Sequence, residues 1–263
     1  MKIKRKQKKR ENGTVLVVGG CPDYVGAPAL AGMAALRTGV DIVTVCAPEK
    51  VAWAINCCAP DLITKKFLGN EFDLTHCREI INMSQNYDVV LIGNGLGIKK
   101  DFVLKLLRYI KKPLVLDADA LKVINLSAVT NSILTPHLKE FEILFTNSVK
   151  KKKFYEEDLD TNIKNFKPVT GDNVILLKGK EDHIFTKHRM HINKTGNDGM
   201  TVGGTGDILA GLCAGFLAQT KNLFESAKHA AYVNGRTGDH LLKQRGYSFI
   251  ASDMINEMWR FIK

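Results

Sequence analysis

Asn193-Lys-Thr-Gly-Asn-Asp-Gly-Met-Thr-Val-Gly-Gly-Thr-Gly-Asp207 runs without a break into Ile208-Leu-Ala-Gly-Leu-Cys-Ala-Gly-Phe-Leu-Ala218. The pattern predicts a helix over Thr205–Gln219. Ala210, Gly211, Ala214, Gly215 and Ala218 leave it so little side-chain bulk that it must pack closely against a sheet. Ahead of it, Gly203, Gly204 and Gly206 permit backbone conformations closed to other residues and let the chain approach a ligand. Consecutive N–H groups at a helix N-terminus, backed by the helix dipole, attract anions, and phosphate suits such a loop.

Outward from this stretch, short β-branched runs alternate with longer helical patterns, each change marked by Gly, Pro or Asp. Strands are expected over Thr14–Val18, Asp41–Cys46, Leu62–Lys66, Asp88–Ile92, Leu114–Leu116, Ile133–Leu134 and Asn173–Leu177. Helices are expected over Ala27–Thr38, Pro48–Cys57, Leu74–Met83 and Asp101–Ile110. Strands apolar on both faces and separated by helices imply a mostly parallel sheet covered on both sides, an α/β three-layer fold. After Leu177 the pattern changes to a hairpin (Asp182–Lys187 with Arg189–Ile192), and then to helices over Thr205–Gln219, Leu223–Leu242 and Ser252–Ile262.

Asp207 is out of place beside a phosphate site, because its charge repels the ligand that the loop suits. One reading is that it only satisfies the helix terminus. The other is that a carboxylate where a phosphoryl group arrives accepts the proton of an attacking hydroxyl. The same choice applies elsewhere. Gly93, Gly95 and Gly97 form a turn or a ligand contact, Asp117 and Asp119 are caps or site residues, and His137 is a satisfied histidine or a site residue. All follow strands on one edge, where open parallel sheets bind ligands.

At 263 residues, 45% hydrophobic and 25% charged, the chain matches ordinary globular usage, and one domain is the default. The net charge of +11 is concentrated in Lys2, Lys4, Arg5, Lys6, Lys8, Lys9 and Arg10. We therefore expect residues 1–12 to be a solvated basic tail and 13–263 a single catalytic domain, with nucleic acid disfavoured as a partner. A second basic run, Lys150–Lys153, meets Glu156, Glu157, Asp158 and Asp160 and reads as exposed helix and loop. The 6 cysteines, with no CxxC pair, fit a reducing compartment. No signal peptide or membrane span is evident, so a soluble cytoplasmic protein is expected.

Gly204-Thr-Gly-Asp207 ahead of an Ala/Gly-rich helix resembles the signature of ribokinase-like enzymes. The longer string from Thr195 to Asp207 resembles one branch, the NAD(P)H-hydrate dehydratases. Val17–Ala31 with Ala35-Leu-Arg-Thr-Gly39, Ile92-Gly-Asn-Gly-Leu-Gly97, Leu116-Asp-Ala-Asp-Ala-Leu121, Leu134-Thr-Pro-His137 and Leu177-Lys-Gly-Lys180 resemble its other motifs, in the same order. The chain departs from the pattern at Asn94, where proline is frequent, at Cys21, where serine is common, and at Lys139, where glycine is common. Nothing resembles the family's epimerase partner domain, so one reaction is expected.

The resemblance implies that Ala27, Gly97, His137 and Asp207 line the hydrated nicotinamide pocket. It implies that Lys178, Gly179, Lys180, Glu181 and Asp182, with Gly203, Gly204, Thr205 and Gly206, hold ADP or ATP as phosphoryl donor, accompanied by Mg²⁺. Lys178 by itself reads equally as a solvated lysine at a strand end. NADH hydrate and NADPH hydrate are the implied substrates, and self-association is common among relatives. Two rivals remain: a small-molecule kinase of the same fold using the same Asp207, and a nucleotide-sensing or nucleic-acid-binding protein exploiting the basic terminus.

Overall fold

The computed structural model describes residues 5–150 and 152–262. Lys2 and Lys4 of the first basic run, and Lys151 of the second, lie outside the described residues. Among the described residues nine strands form one sheet: β1 (Thr14–Val18), β2 (Ile42–Pro48), β3 (Ile63–Phe67), β4 (Val89–Ile92), β5 (Leu114–Leu116), β6 (Ser132–Leu134), β7 (Val174–Leu177), β8 (Asp182–Phe185) and β9 (Met190–Asn193). Their order is β3-β2-β1-β4-β5-β6-β7-β8-β9. Pairing is parallel as far as β7 and antiparallel for β8 and β9, the hairpin expected from sequence.

The alternation of side chains along a strand divides the core in two. Val15 and Val17 of β1 face α1 (Gly26–Arg37), α2 (Glu49–Cys58), α8 (Thr205–Thr220), α9 (Leu223–Arg245) and α10 (Ala251–Glu257). Leu16 and Val18 face α3 (Cys77–Ser84), α4 (Lys100–Tyr109), α5 (Asp119–Val123), α6 (Leu138–Ser148) and α7 (Leu159–Phe166). The three-layer α/β expectation holds. Among the described residues no helix is long and apolar enough to cross a membrane.

Helices α5, α6 and α7 are additions to the expected pattern. The α6 helix begins at an N-cap rather than at a visible breaker: His137 Nδ1 accepts from the Glu140 amide, and a Glu140 carboxylate oxygen accepts from the His137 amide. Its Phe141 and Phe145 pack with Phe154, Phe166 and Phe185 from three later segments. The terminal segment is also less free than a bare basic run implies. Lys6, Lys8, Lys9 and Arg10 are exposed, but Asn12 is buried and donates to Asp41, which Arg5 also reaches at 3.2 Å.

The small residues of α8 meet α1 as well as the sheet. A Cβ on Gly211 would lie 2.1 Å from the Ala31 carbonyl oxygen, so only glycine allows the two backbones this close. Gly204 caps the helix at φ +96°, in the left-handed region, where an added Cβ would strike Leu30. Gly211→Val should therefore lower unfolding stability by about 2–3 kcal/mol through overpacking. Gly26→Ala, whose Cβ meets open space, should leave it unchanged or slightly raised. Thermal unfolding of both variants checks this.

Candidate active site

The parallel strands end along one edge, and the loops after β1, β4, β5, β6 and β7 meet the N-terminus of α8 there. This is where an open parallel sheet leaves a crevice. Asp207, in the first turn of α8, accepts a hydrogen bond from Asn94 Nδ2 at 2.7 Å. The same nitrogen donates to Asp117 Oδ2 at 2.9 Å. The other oxygen of Asp117 accepts from Thr135 Oγ1 at 2.7 Å and from Lys178 Nζ at 3.0 Å. Lys178 also faces Glu140 at 3.8 Å. A continuous polar chain thus runs from Asp207 through Asn94, Asp117 and Lys178 to Glu140.

Asp117 and Asp119 point to different partners because Ala118 between them adopts φ 49° and ψ −119°, a conformation that costs on the order of 1–3 kcal/mol in a non-glycine residue. Asp119 accepts from the Gly97 amide at 2.8 Å and from Lys122 Nζ at 2.7 Å. It therefore ties the β4 loop to α5. Ala27 lies against that loop, 3.1 Å from where a Cβ on Gly95 would be. His137 is half exposed and capped onto Glu140.

Burial raises the proton affinity of Asp207, repulsion from Asp117 adds to it, and its carboxyl is pushed up to about 6; the Asn94 hydrogen bond and Lys178 oppose this. Burial likewise raises Glu140, with Lys178 pulling the other way. For Lys178, burial disfavours its charge, but Asp117 and Glu140 outweigh that and hold the ammonium above its ordinary value. A partly buried lysine in this setting stays charged.

Beside this chain lies a cleft of about 610 Å³. Lys178, Gly179, Lys180, Glu181 and Asp182 form one wall, and Thr205 and Gly206 form another. Lys178 is the junction between cleft and carboxylates, since a Cβ on Gly206 would lie 3.5 Å from its ammonium nitrogen. Gly203 and Gly204 are outside the lining, as are Asp207, Ala27, Gly97 and His137. Asp182 shapes the β7–β8 turn, accepting from the Gly179 amide at 3.3 Å and from Asn193 at 3.1 Å.

Several lining residues carried no site role in the sequence reading. The 195–198 loop is pinned to α9 by Asp239, which accepts from the Gly196 amide and from Asn197 Nδ2. Asn234 on α9 lines the cleft and has a buried, unpartnered Oδ1. Its helical surroundings hide it. Asn94 stood out only as a departure from proline, which is a weak signal for a residue that bridges two carboxylates.

The profile described as NAD(P)H-hydrate dehydratase matches residues 15–260. The chain belongs to this family. It is 41% identical to the bifunctional NAD(P)H-hydrate repair enzyme Nnr of Methanothermobacter thermautotrophicus over 94% of this chain, but over only 49% of that protein. The chain spans about half the length of the first curated relatives it matches. Against the ADP-dependent (S)-NAD(P)H-hydrate dehydratase of Nitrosopumilus maritimus it is 35% identical, covering 99% of this chain and 92% of the relative. The fold matches the ADP/ATP-dependent NAD(P)H-hydrate dehydratase of Bacillus subtilis, crystallised with ATP and Mg²⁺, at a TM-score of 0.79 and 22% identity over 99% and 94% of the two chains.

The Asp207 carboxyl carries a stability signature. Because the folded state raises the proton affinity of Asp207, it binds more protons than the unfolded chain between roughly pH 4 and 6. The stability that this proton supplies is present at low pH and is lost as pH rises through about 6, leaving a buried charge that costs on the order of 2 kcal/mol. Asp207→Asn should accordingly unfold at a higher temperature than the parent near neutral pH and at a similar temperature near pH 4. Calorimetric scans at the two pH values test it.

Proposed function

We propose that this chain returns the S form of NADH hydrate and NADPH hydrate to NADH and NADPH, using ADP or ATP as phosphoryl donor. The observation that carries this reading is the Asp207 carboxyl, raised to about 6 at the N-terminus of α8 and joined through Asn94, Asp117 and Lys178 to the wall of a nucleotide-sized cleft. A carboxylate of that proton affinity is suited to act as a base near neutral pH.

In the proposed reaction the ring hydroxyl attacks the terminal phosphorus of the nucleotide while Asp207 takes its proton. A carbon-bound phosphate ester forms, and the bond to the nucleotide's bridging oxygen breaks, releasing AMP from ADP or ADP from ATP. The ring nitrogen's lone pair then expels phosphate, and loss of a proton from the adjacent carbon restores the double bond. Phosphorylation matters because hydroxide is a poor leaving group and phosphate a good one. Lys178 Nζ and the amides of Thr205 and Gly206 would balance charge on the transferring group, a role supported by their residues lining the cleft at the start of α8.

Lys178, Gly179, Lys180, Glu181, Asp182, Thr205 and Gly206 would hold the nucleotide, with Gly203 and Gly204 setting the turn into α8. Ala27, Gly97, His137 and Asp207 would form the hydrate side. Among the described residues no three His, Cys, Asp or Glu side chains converge as a metal cage. A Mg²⁺ arriving with the nucleotide would rest mainly on phosphate oxygens and water, as this ion commonly does, and would neutralise phosphate charge. A single catalytic unit over residues 13–263, self-association and a cytoplasmic location belong to the same proposal and rest on the family resemblance. ADP is the preferred donor, in line with the name of the Nitrosopumilus relative.

Incubation with NADH hydrate, Mg²⁺ and ADP or ATP should restore the absorbance of the reduced nicotinamide. With Asp207→Asn, turnover should fall by at least about 100-fold while nucleotide affinity is kept. For the parent, kcat/KM should rise with pH through a midpoint near about 6, as the base loses its proton. Undiminished turnover in Asp207→Asn refutes the assignment.

A further inference from the structure

Asn94 is fully buried, and its main chain is locked in place: its carbonyl oxygen accepts from the Gly20 amide at 2.9 Å, against the loop after β1. From that fixed point its side-chain nitrogen reaches Asp117 Oδ2 at 2.9 Å and Asp207 Oδ1 at 2.7 Å. A primary amide nitrogen carries two hydrogens, and each has a carboxylate acceptor. The orientation is not arbitrary, because the opposite one would set Oδ1 against two negative groups. Meanwhile Oδ1 is buried without a partner, so the amide is retained for its donors despite an unsatisfied acceptor.

We propose that Asn94 is a positioning residue for the base: one amide nitrogen clamps the Asp207 carboxylate to that of Asp117 and so aims it at the acceptor hydroxyl. This rests on the reading of Asp207 as the base. Without a shared donor the two carboxylates repel across the same short gap, which disfavours the ionised form of Asp207 and leaves its aim unfixed.

The clamp also bears on the pH range of the base. The charged groups facing Asp207 are Asp117 and Asp119 from the loop and helix after β5, and Lys178 from the end of β7. Along α1 the neighbouring residues Gly26 to Leu36 are all small or apolar, and α9 presents Asn234 and Gly235 to the adjoining cleft. Donation from Asn94 and the charge of Lys178 both favour the ionised form against burial and the two carboxylates. Removing the donor leaves Lys178 alone on that side.

The test is the pH profile of kcat/KM for NADH hydrate in Asn94→Leu, close in volume with no donor, and in Asn94→Ala, which spares the fold if leucine is too bulky. In both, the acid-limb midpoint should move up by about one pH unit, while nucleotide affinity stays within about twofold. A midpoint at the parent value, with only a lowered unfolding temperature, overturns the proposal and leaves Asn94 a packing residue. If turnover is too low to profile, ¹³C titration of the Asp207 carboxyl in the same variants reads the shift directly. Asp207→Asn, assayed alongside, separates the two ideas. Undiminished turnover there removes the base itself, whereas an inactive Asp207→Asn with unmoved Asn94 profiles removes only the clamp.

Discussion

The contact between α1 and α8 sets the position of everything at the strand ends. Gly211 lets the α8 backbone close on the Ala31 carbonyl, and Gly204 turns the chain into the helix against Leu30 and Ala251. A helix held that tightly projects its first turn to a fixed place over the crevice. Because α8 also touches β4, β1 and β5, its N-terminus is referenced to the same strands whose loops carry Asn94 and Asp117. The helix and those loops cannot shift independently.

That rigidity matters because the charges at the edge are tolerated only in one arrangement. Asp117 and Glu140 converge on a single partly buried ammonium, Lys178, while Asp207 is joined to Asp117 through Asn94, and Thr135 supplies a further neutral donor. Each carboxylate would be expensive to bury without such partners. Lys178 also lines the cleft, so the group that compensates the carboxylates is the one that a polyphosphate would meet.

Much of this was legible locally. The apolar runs at Thr14–Val18 and Val174–Leu177, the hairpin after Leu177 and the glycine-rich entry to the 205–220 helix all follow from patterns a few residues long. The family resemblance groups Lys178–Asp182 with Gly203, Gly204, Thr205 and Gly206; the fold brings Lys178–Asp182, Thr205 and Gly206 to the walls of one cleft and leaves Gly203 and Gly204 outside it. By contrast, α6 was missed because its start is a histidine–glutamate capping box, and its aromatic face finds partners only in Phe154, Phe166 and Phe185. Asn234 was missed because nothing in its helical neighbourhood distinguishes it from a surface residue.

By itself, the sequence determined the alternation of strands and helices as far as residue 110, the two-sided burial of the sheet and the glycine-bounded helix start at residue 205. Those are matters of periodicity and backbone freedom, encoded within a turn or two of chain. Only the tertiary structure decided that Asn94 sits between Asp117 and Asp207, that Lys178 answers carboxylates from two different segments, and that Asp182 holds a turn. The strength of an electrostatic contact depends on distance and burial. Residues 94, 117, 140, 178 and 207 acquire both only when the strands bearing their loops lie side by side.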